Sequence, residues 1–384
     1  MSELSPALGL SHLELASGYV GGVDESTPRA VPSVAAGLTP LAALEQAVLP
    51  AFERGRCFVS FSGGRDSSAV LAAAAAAARR HGLDPPIPVS LRFRGSETAD
   101  ESEWQELLVR HLGLDDWIRL EFDDELDYVG PVAAAAHARH GVLYPFNAHF
   151  HAPVFEQAAG GTVFTGSGGD DLFLAWRWQR EAWIASGRAR PRLRDLPRFA
   201  YFAAPLALRR AAVARITGRK YRWLSPLGRR RFAAAVAGDA DEPRRFDART
   251  AWLSRRRYRA RTKRSFDLLA ADAGARCETP LLEPRFLSAV ARAGGRSGFG
   301  DRTAAMRALF GTLLPDELLA RPTKAVLTDA FLGEHTAAFL RGWDGTTPFP
   351  DLIDTAGLRA AWAPGENLRP RLLLQATALA ARRR

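Results

Sequence analysis

Residues 60–68 read Ser-Phe-Ser-Gly-Gly-Arg-Asp-Ser-Ser and stand between two segments of opposite character. Residues 57–61 are a short apolar run; residues 67–82 are an Ala-rich stretch closed by a glycine. Strand, tight turn and helix is the order this boundary predicts. Gly63 and Gly64 have no Cβ, so the backbone there can approach a ligand closely. The N–H groups that open a helix carry partial positive charge and suit a phosphate. Ser60, Ser62, Ser67 and Ser68 surround the same turn with hydroxyls, and Asp66 can hold the Mg²⁺ that neutralises phosphates. A bare Gly-Gly turn capped by Asp66 would mean little. Ser-Gly-Gly-x-Asp-Ser between a short apolar strand and a helix points to a phosphate ligand, and it is not the Gly-x-x-x-x-Gly-Lys-Ser/Thr pattern.

The first half of the chain repeats the alternation. Residues 41–53 have apolar side chains at helical spacing (Leu41, Leu44, Val48, Phe52). Residues 87–93, 117–122 and 162–165 read as strands and 101–112 as a helix. Such alternation implies a parallel sheet with right-handed crossovers, whose ligands gather at the carboxyl ends of the strands. The last of these strands runs into a second Gly-rich loop, Thr165-Gly166-Ser167-Gly168-Gly169-Asp170-Asp171-Leu172-Phe173. Beyond residue 172 only helical patterns and loops are visible, and there is no internal repeat. The expected organisation is an irregular N-terminal extension (1–38), an α/β core (39–175) and an Arg-rich helical region (176–384) that completes the site.

Composition narrows the classes. At 384 residues, 47% hydrophobic and 24% charged, the chain fits a globular protein of two domains or one with a large appendage. It holds no apolar run of about 18 residues, and Met1-Ser2-Glu3-Leu4 does not open a secretory signal, so a cytoplasmic protein without a membrane span is expected. Cys57 and Cys277 are too few for a disulfide scaffold or a thiolate metal site. The net charge of +10 is uneven: residues 177–264 carry 26 Arg and Lys against 6 Asp and Glu, a balance of +20, which leaves −10 elsewhere. That segment suits phosphates or an acidic peptide or carrier. With 49 Arg, only 3 Lys and much Ala, it also suits a coding bias and a solvated helical surface. His137, His140, His149 and His151 cluster, but no cysteine joins them and Pro145-Phe146-Asn147 interrupts their spacing, so pocket lining or plain structure outweighs zinc.

Residues 60–68 resemble the pyrophosphate-binding loop of the N-type ATP pyrophosphatases, signature Ser-Gly-Gly-x-Asp-Ser. That resemblance implies an adenine nucleotide α-hydrolase-like fold, ATP cleaved between its α and β phosphates, and a carboxylate or carbonyl oxygen activated as an adenylate. The second loop is similar to the Gly-x-Gly-Gly-Asp-Glu-Leu-Phe segment of the asparagine synthetase family, with Asp171 in place of Glu. The likeness makes Asp170 the second carboxylate on Mg²⁺, with Gly166, Gly168 and Gly169 beside the nucleotide. Glu278-Thr279-Pro280-Leu281-Leu282-Glu283-Pro284 resembles the family's Arg-x-Pro-Phe-Leu-Asp stretch. Residues 302–319 with Arg321-Pro322-Thr323-Lys324 resemble its closing element, which implies that Lys324 contacts the phosphates and offsets charge as pyrophosphate leaves. Asp100 and Glu101 match an Asp-Glu pair of the family, near the nucleotide or at a solvated helix start. The resemblance covers residues 40–340 and extends to β-lactam synthetases and lasso-peptide cyclases.

Two departures limit it. The family's glutaminase half has an N-terminal cysteine nucleophile, whereas this chain begins Met1-Ser2 and reaches the loop within about sixty residues. Ammonia, a substrate amine or a separate glutaminase is therefore the expected nitrogen donor. Ser167 stands where asparagine synthetases carry glutamate and β-lactam synthetases tyrosine, and serine is a poor general base; Glu283 is a loose alternative. The expected reaction converts Mg·ATP and a small-molecule or peptide carboxylate into an acyl-adenylate, then an amide or lactam. A non-catalytic partner-binding relative and a tRNA-modifying pyrophosphatase are the rivals. The second Gly-Gly-Asp loop argues against the latter, and against nucleic acid as a partner.

Overall fold

The computed structural model describes residues 3–28, 33–94, 96–174, 176–217, 221–321, 331–363 and 370–384. Its strands are β1 (Cys57–Ser60), β2 (Ile87–Phe93), β3 (Ile118–Phe122), β4 (Thr162–Phe164) and β5 (Arg276–Glu278). They form one sheet in the order β3-β2-β1-β4-β5, with every pair parallel. The expected parallel α/β class is the observed one. β1 lies in the middle: β2 and β3 are laid down on one side of it, β4 and β5 on the other. The strand order reverses between β1 and β4, which places a ligand crevice beyond their carboxyl ends.

Helices α1 (His12–Ser17), α2 (Pro40–Phe52), α3 (Arg65–His81), α4 (Ser102–Leu112), α5 (Pro131–His140) and α6 (Ala152–Glu156) precede β4. Between β4 and β5 come α7 (Gly169–Phe173), α8 (Gln179–Ala185), α9 (Leu196–Ala203), α10 (Leu206–Thr217), α11 (Pro226–Gly238), α12 (Phe246–Ser254) and α13 (Arg257–Asp272). After β5 run α14 (Pro284–Gly294), α15 (Arg302–Phe310), α16 (Asp316–Ala320) and, towards the C-terminus, a helix at Arg371–Arg382.

Both faces of the sheet are covered, as parallel sheets require. β1 shows the alternation: Cys57, Val59 and Phe61 enter one core with α2, α3 and α14, while Phe58 enters the other with Phe155 and Leu373. α3 sits close to the sheet because its buried face is mostly alanine, and Gly82 in the left-handed region (φ 63°) ends it.

Two expectations need correction. The sequence predicts no strand after residue 172, yet β5 pairs with β4 through Thr162↔Arg276, Val163↔Cys277 and Phe164↔Glu278. Three residues with a single buried side chain, Cys277, are too few to show a period; the ladder makes them a strand. The extension before residue 39 is not irregular throughout. Ser11 and Glu14 close a capping box on α1, and Leu10, Leu15 and Val20 pack in the same core as Leu372 and Leu379 of the last helix. Among the described residues no helix is long and apolar enough to cross a membrane.

Candidate nucleotide-binding site

The first loop leaves β1 and enters α3. Gly63 takes a positive φ of 81°, which bends the chain, and Gly64 is the N-cap of α3 with no side chain to offer the helix's first N–H groups. The serines brace this turn. Ser67 Oγ donates to Gly64 O (3.0 Å) and accepts from Ser62 N (3.3 Å), while Ser62 Oγ accepts from Gly64 N (3.3 Å). Ser60 lies deeper, its Oγ 3.3 Å from His151 Nδ1. Burial pushes the His151 pKa down to about 4, so that ring is neutral near pH 7. Ser68 is fully enclosed.

The second loop leaves β4 and packs directly against the first. A Cβ added to Gly166 would come within 2.7 Å of Ser67 N, and one on Gly169 within 2.2 Å of Asp66 Cγ. Only glycine lets the two loops meet this closely. The contact sets the carboxylates of Asp66, in the first turn of α3, and Asp170, in the first turn of α7, around one guanidinium. Arg302 Nη2 donates to Asp66 Oδ1 (2.9 Å) and Oδ2 (2.8 Å), and Nη1 donates to Asp170 Oδ1 (2.6 Å). Burial opposes the charge on Arg302, but the two carboxylates outweigh it and raise its pKa. Asp170 is about half exposed, at 52%, so the pair opens to solvent on that side.

The two carboxylates therefore already converge on one positive centre. An oxygen-only donor pair that leaves further positions for water and phosphate oxygens is what Mg²⁺ takes. Asp66 and Asp170 fit that ion in their donor chemistry, and here Arg302 bridges them. Among the described residues no set of three ligating His, Cys, Asp or Glu is gathered.

A second ion pair supports the loop from behind. Arg321 makes two 2.6 Å hydrogen bonds to Glu101 and a third, of 3.0 Å, to Gly63 O, with its guanidinium over the Trp104 ring. Glu101 is thus buried in the site, whereas Asp100 accepts from Ser102 N at the exposed start of α4. Arg65 donates to Thr303 Oγ1 and Arg321 O. Burial and the charges of Arg302 and Arg321 lower its pKa. Sequence reasoning missed the parts played by Arg65, Arg302 and Arg321. In a chain with 49 Arg nothing marks these three, although Arg302 and Arg321 open the two halves of the closing motif.

Other expected residues take different places. Glu283 is the N-cap of α14, accepting from Phe286 N at 2.9 Å through one carboxylate oxygen. Asp171 accepts from Tyr258 Oη (2.7 Å) and Arg259 Nε (3.3 Å) beside a cavity of about 340 Å³ that Tyr144, Trp252 and Arg256 also line. His137 and His149 are buried ring to ring, and His140 pairs with Asp272. Lys324 lies outside the described residues.

A parallel sheet with two glycine loops at its switch point, each bringing one aspartate to a shared centre, defines an ATP-pyrophosphatase-type core. The asparagine synthase family model matches residues 41–365. The chain belongs to that family, whose members are ATP-dependent, amide-forming carbon–nitrogen ligases. No curated protein matches it closely enough to serve as a relative.

Proposed function

We propose that this protein adenylates a carboxylate with ATP, releases pyrophosphate and transfers the acyl group to a nitrogen nucleophile. The observation that carries the reading is the convergence of Asp66 and Asp170, from loops at the ends of β1 and β4, on one cationic centre. Asp66 and Asp170 would hold Mg²⁺, which would supply charge neutralisation along the phosphates. The N–H groups at the start of α3 would bind phosphate oxygens, in a loop whose shape Ser62 and Ser67 fix through their hydrogen bonds to Gly64. Gly166 and Gly169 let the second loop pack against Ser67 and Asp66 of the first, while a Cβ on Gly63 or Gly168 would meet Gln105 or Leu282. Arg302, now shared between the two carboxylates, would be one cation available to the phosphates, and Lys324 would be a second that offsets charge as pyrophosphate departs.

The substrate is a small-molecule or peptide carboxylate, and the nitrogen comes from ammonia, a substrate amine or a separate glutaminase. The cavity beside Asp171 is the place for the acyl group or its acceptor, because it opens next to the second loop and is lined by aromatic rings with charged groups among them. Exchange of labelled pyrophosphate into ATP, run over a panel of carboxylic acids, tests this reading. At least one acid is expected to stimulate exchange in the wild type and none in Asp66→Ala. ATP binding without exchange for any acid supports the non-catalytic, partner-binding alternative.

A further inference from the structure

α9 and α10 project a surface on which apolar and basic side chains are both uncovered. Leu193 is 86% exposed, Leu196 and Leu208 62%, and Ile216 61%. α9 buries none of its residues. Between residues 188 and 217 the one acidic residue is Asp195, which is buried and held by Arg180 through 2.6 Å hydrogen bonds. Arg190, Arg194, Arg210 and Arg215 are exposed and take part in no ion pair among the described residues. The two helices share an anchor: Tyr201, Phe202 and Arg209 all pack on the ring of buried Trp178. A monomer rarely leaves this much leucine uncovered among charges of one sign.

The arrangement of the side chains selects the partner. A membrane surface calls for an apolar face separated from a basic one. Here Arg215 follows Leu208 by seven positions and lies on the same side of α10, while Leu193 and Leu196 alternate with Arg192, Arg194 and Arg198. Arginine forks pair bidentately with carboxylates, and the leucines between them take apolar side chains. We propose that this surface docks an acidic peptide segment in which Glu or Asp alternates with apolar residues. It lies on the segment 190–195 that leads into α9 and on α9 and α10, and does not depend on the chemistry proposed above.

Fluorescence anisotropy with the full chain tests the proposal. The probe is a labelled synthetic peptide of alternating Glu and Leu, and a Glu/Ser peptide of equal charge is its control. Leu193→Ser/Leu196→Ser and Arg190→Ser/Arg194→Ser should each weaken the Glu/Leu peptide by about tenfold or more, the size of effect expected when interface anchors are removed. Their melting temperatures and ATP affinity should stay at the wild-type values. The Glu/Ser peptide should bind at least about tenfold more weakly than the Glu/Leu peptide. Equal binding of the two peptides, or wild-type affinity in both variants, overturns the proposal. So does a preference for phosphatidylglycerol vesicles over the peptide, or a wild-type dimer that Leu193→Ser/Leu196→Ser converts to monomer.

Discussion

Asp66 and Asp170, far apart in the chain, are held by the two ends of one guanidinium, that of Arg302, at 2.6 to 2.9 Å. The arginine neutralises two like charges that the glycine contact between the loops forces together. Arg302→Ala should therefore lower the melting temperature in metal-free buffer, because the carboxylates then repel each other. Added MgCl2 should restore it, with a larger rise than in the wild type. Equal magnesium responses in the two proteins would show that the carboxylates do not share a cation site.

Glu101 and Arg321 form the most deeply buried ion pair at the site, with side chains 8% and 3% exposed. Removing one partner leaves the other charged and enclosed, a change that costs about 3–5 kcal/mol. Glu101→Gln should lower unfolding stability in urea by that order. It should also weaken ATP binding, since Arg321 holds Gly63 O.

Gly169 has no room for a side chain. In Gly169→Ala the methyl group would meet Asp66 Cγ at 2.2 Å, so Asp66 must shift. Affinity for a non-hydrolysable ATP analogue with Mg²⁺ should fall by at least roughly tenfold, equivalent to about 1.4 kcal/mol. Gly187→Ala, at an exposed turn, should bind the analogue normally.

Burial pushes the pKa of His137 down to about 3 and that of His149 to about 4. Both rings fold neutral, and the unfolded chain takes up more protons below its own histidine pKa of about 6.5. Their contribution to stability is complete above that value and is lost as pH falls towards 4 for His149 and 3 for His137. Each histidine should add a slope of up to about 1.4 kcal/mol per pH unit in that window. Urea midpoints at pH 7 and pH 5 measure it, and His149→Asn should flatten the difference.

The first four strands and the two ligand loops are legible in the sequence, because glycines break strong apolar and Ala-rich patterns at residues 63 and 168. β5 is not, since its three residues become a strand only against β4. Asp66 and Asp170 can be chosen from their motifs, but Arg302 and Arg321 cannot be picked from 49 arginines without knowing what each one faces. Glu283 adds a use that the family-like stretch does not reveal: it caps a helix.

The most direct test of the central claim is the identity of the nucleotide product. The protein should be incubated with Mg·ATP, an acid that supports pyrophosphate exchange and an ammonium salt, and the nucleotides separated. AMP and pyrophosphate in equal amounts, lost together in Asp170→Asn, are the predicted products; ADP and inorganic phosphate would contradict the account.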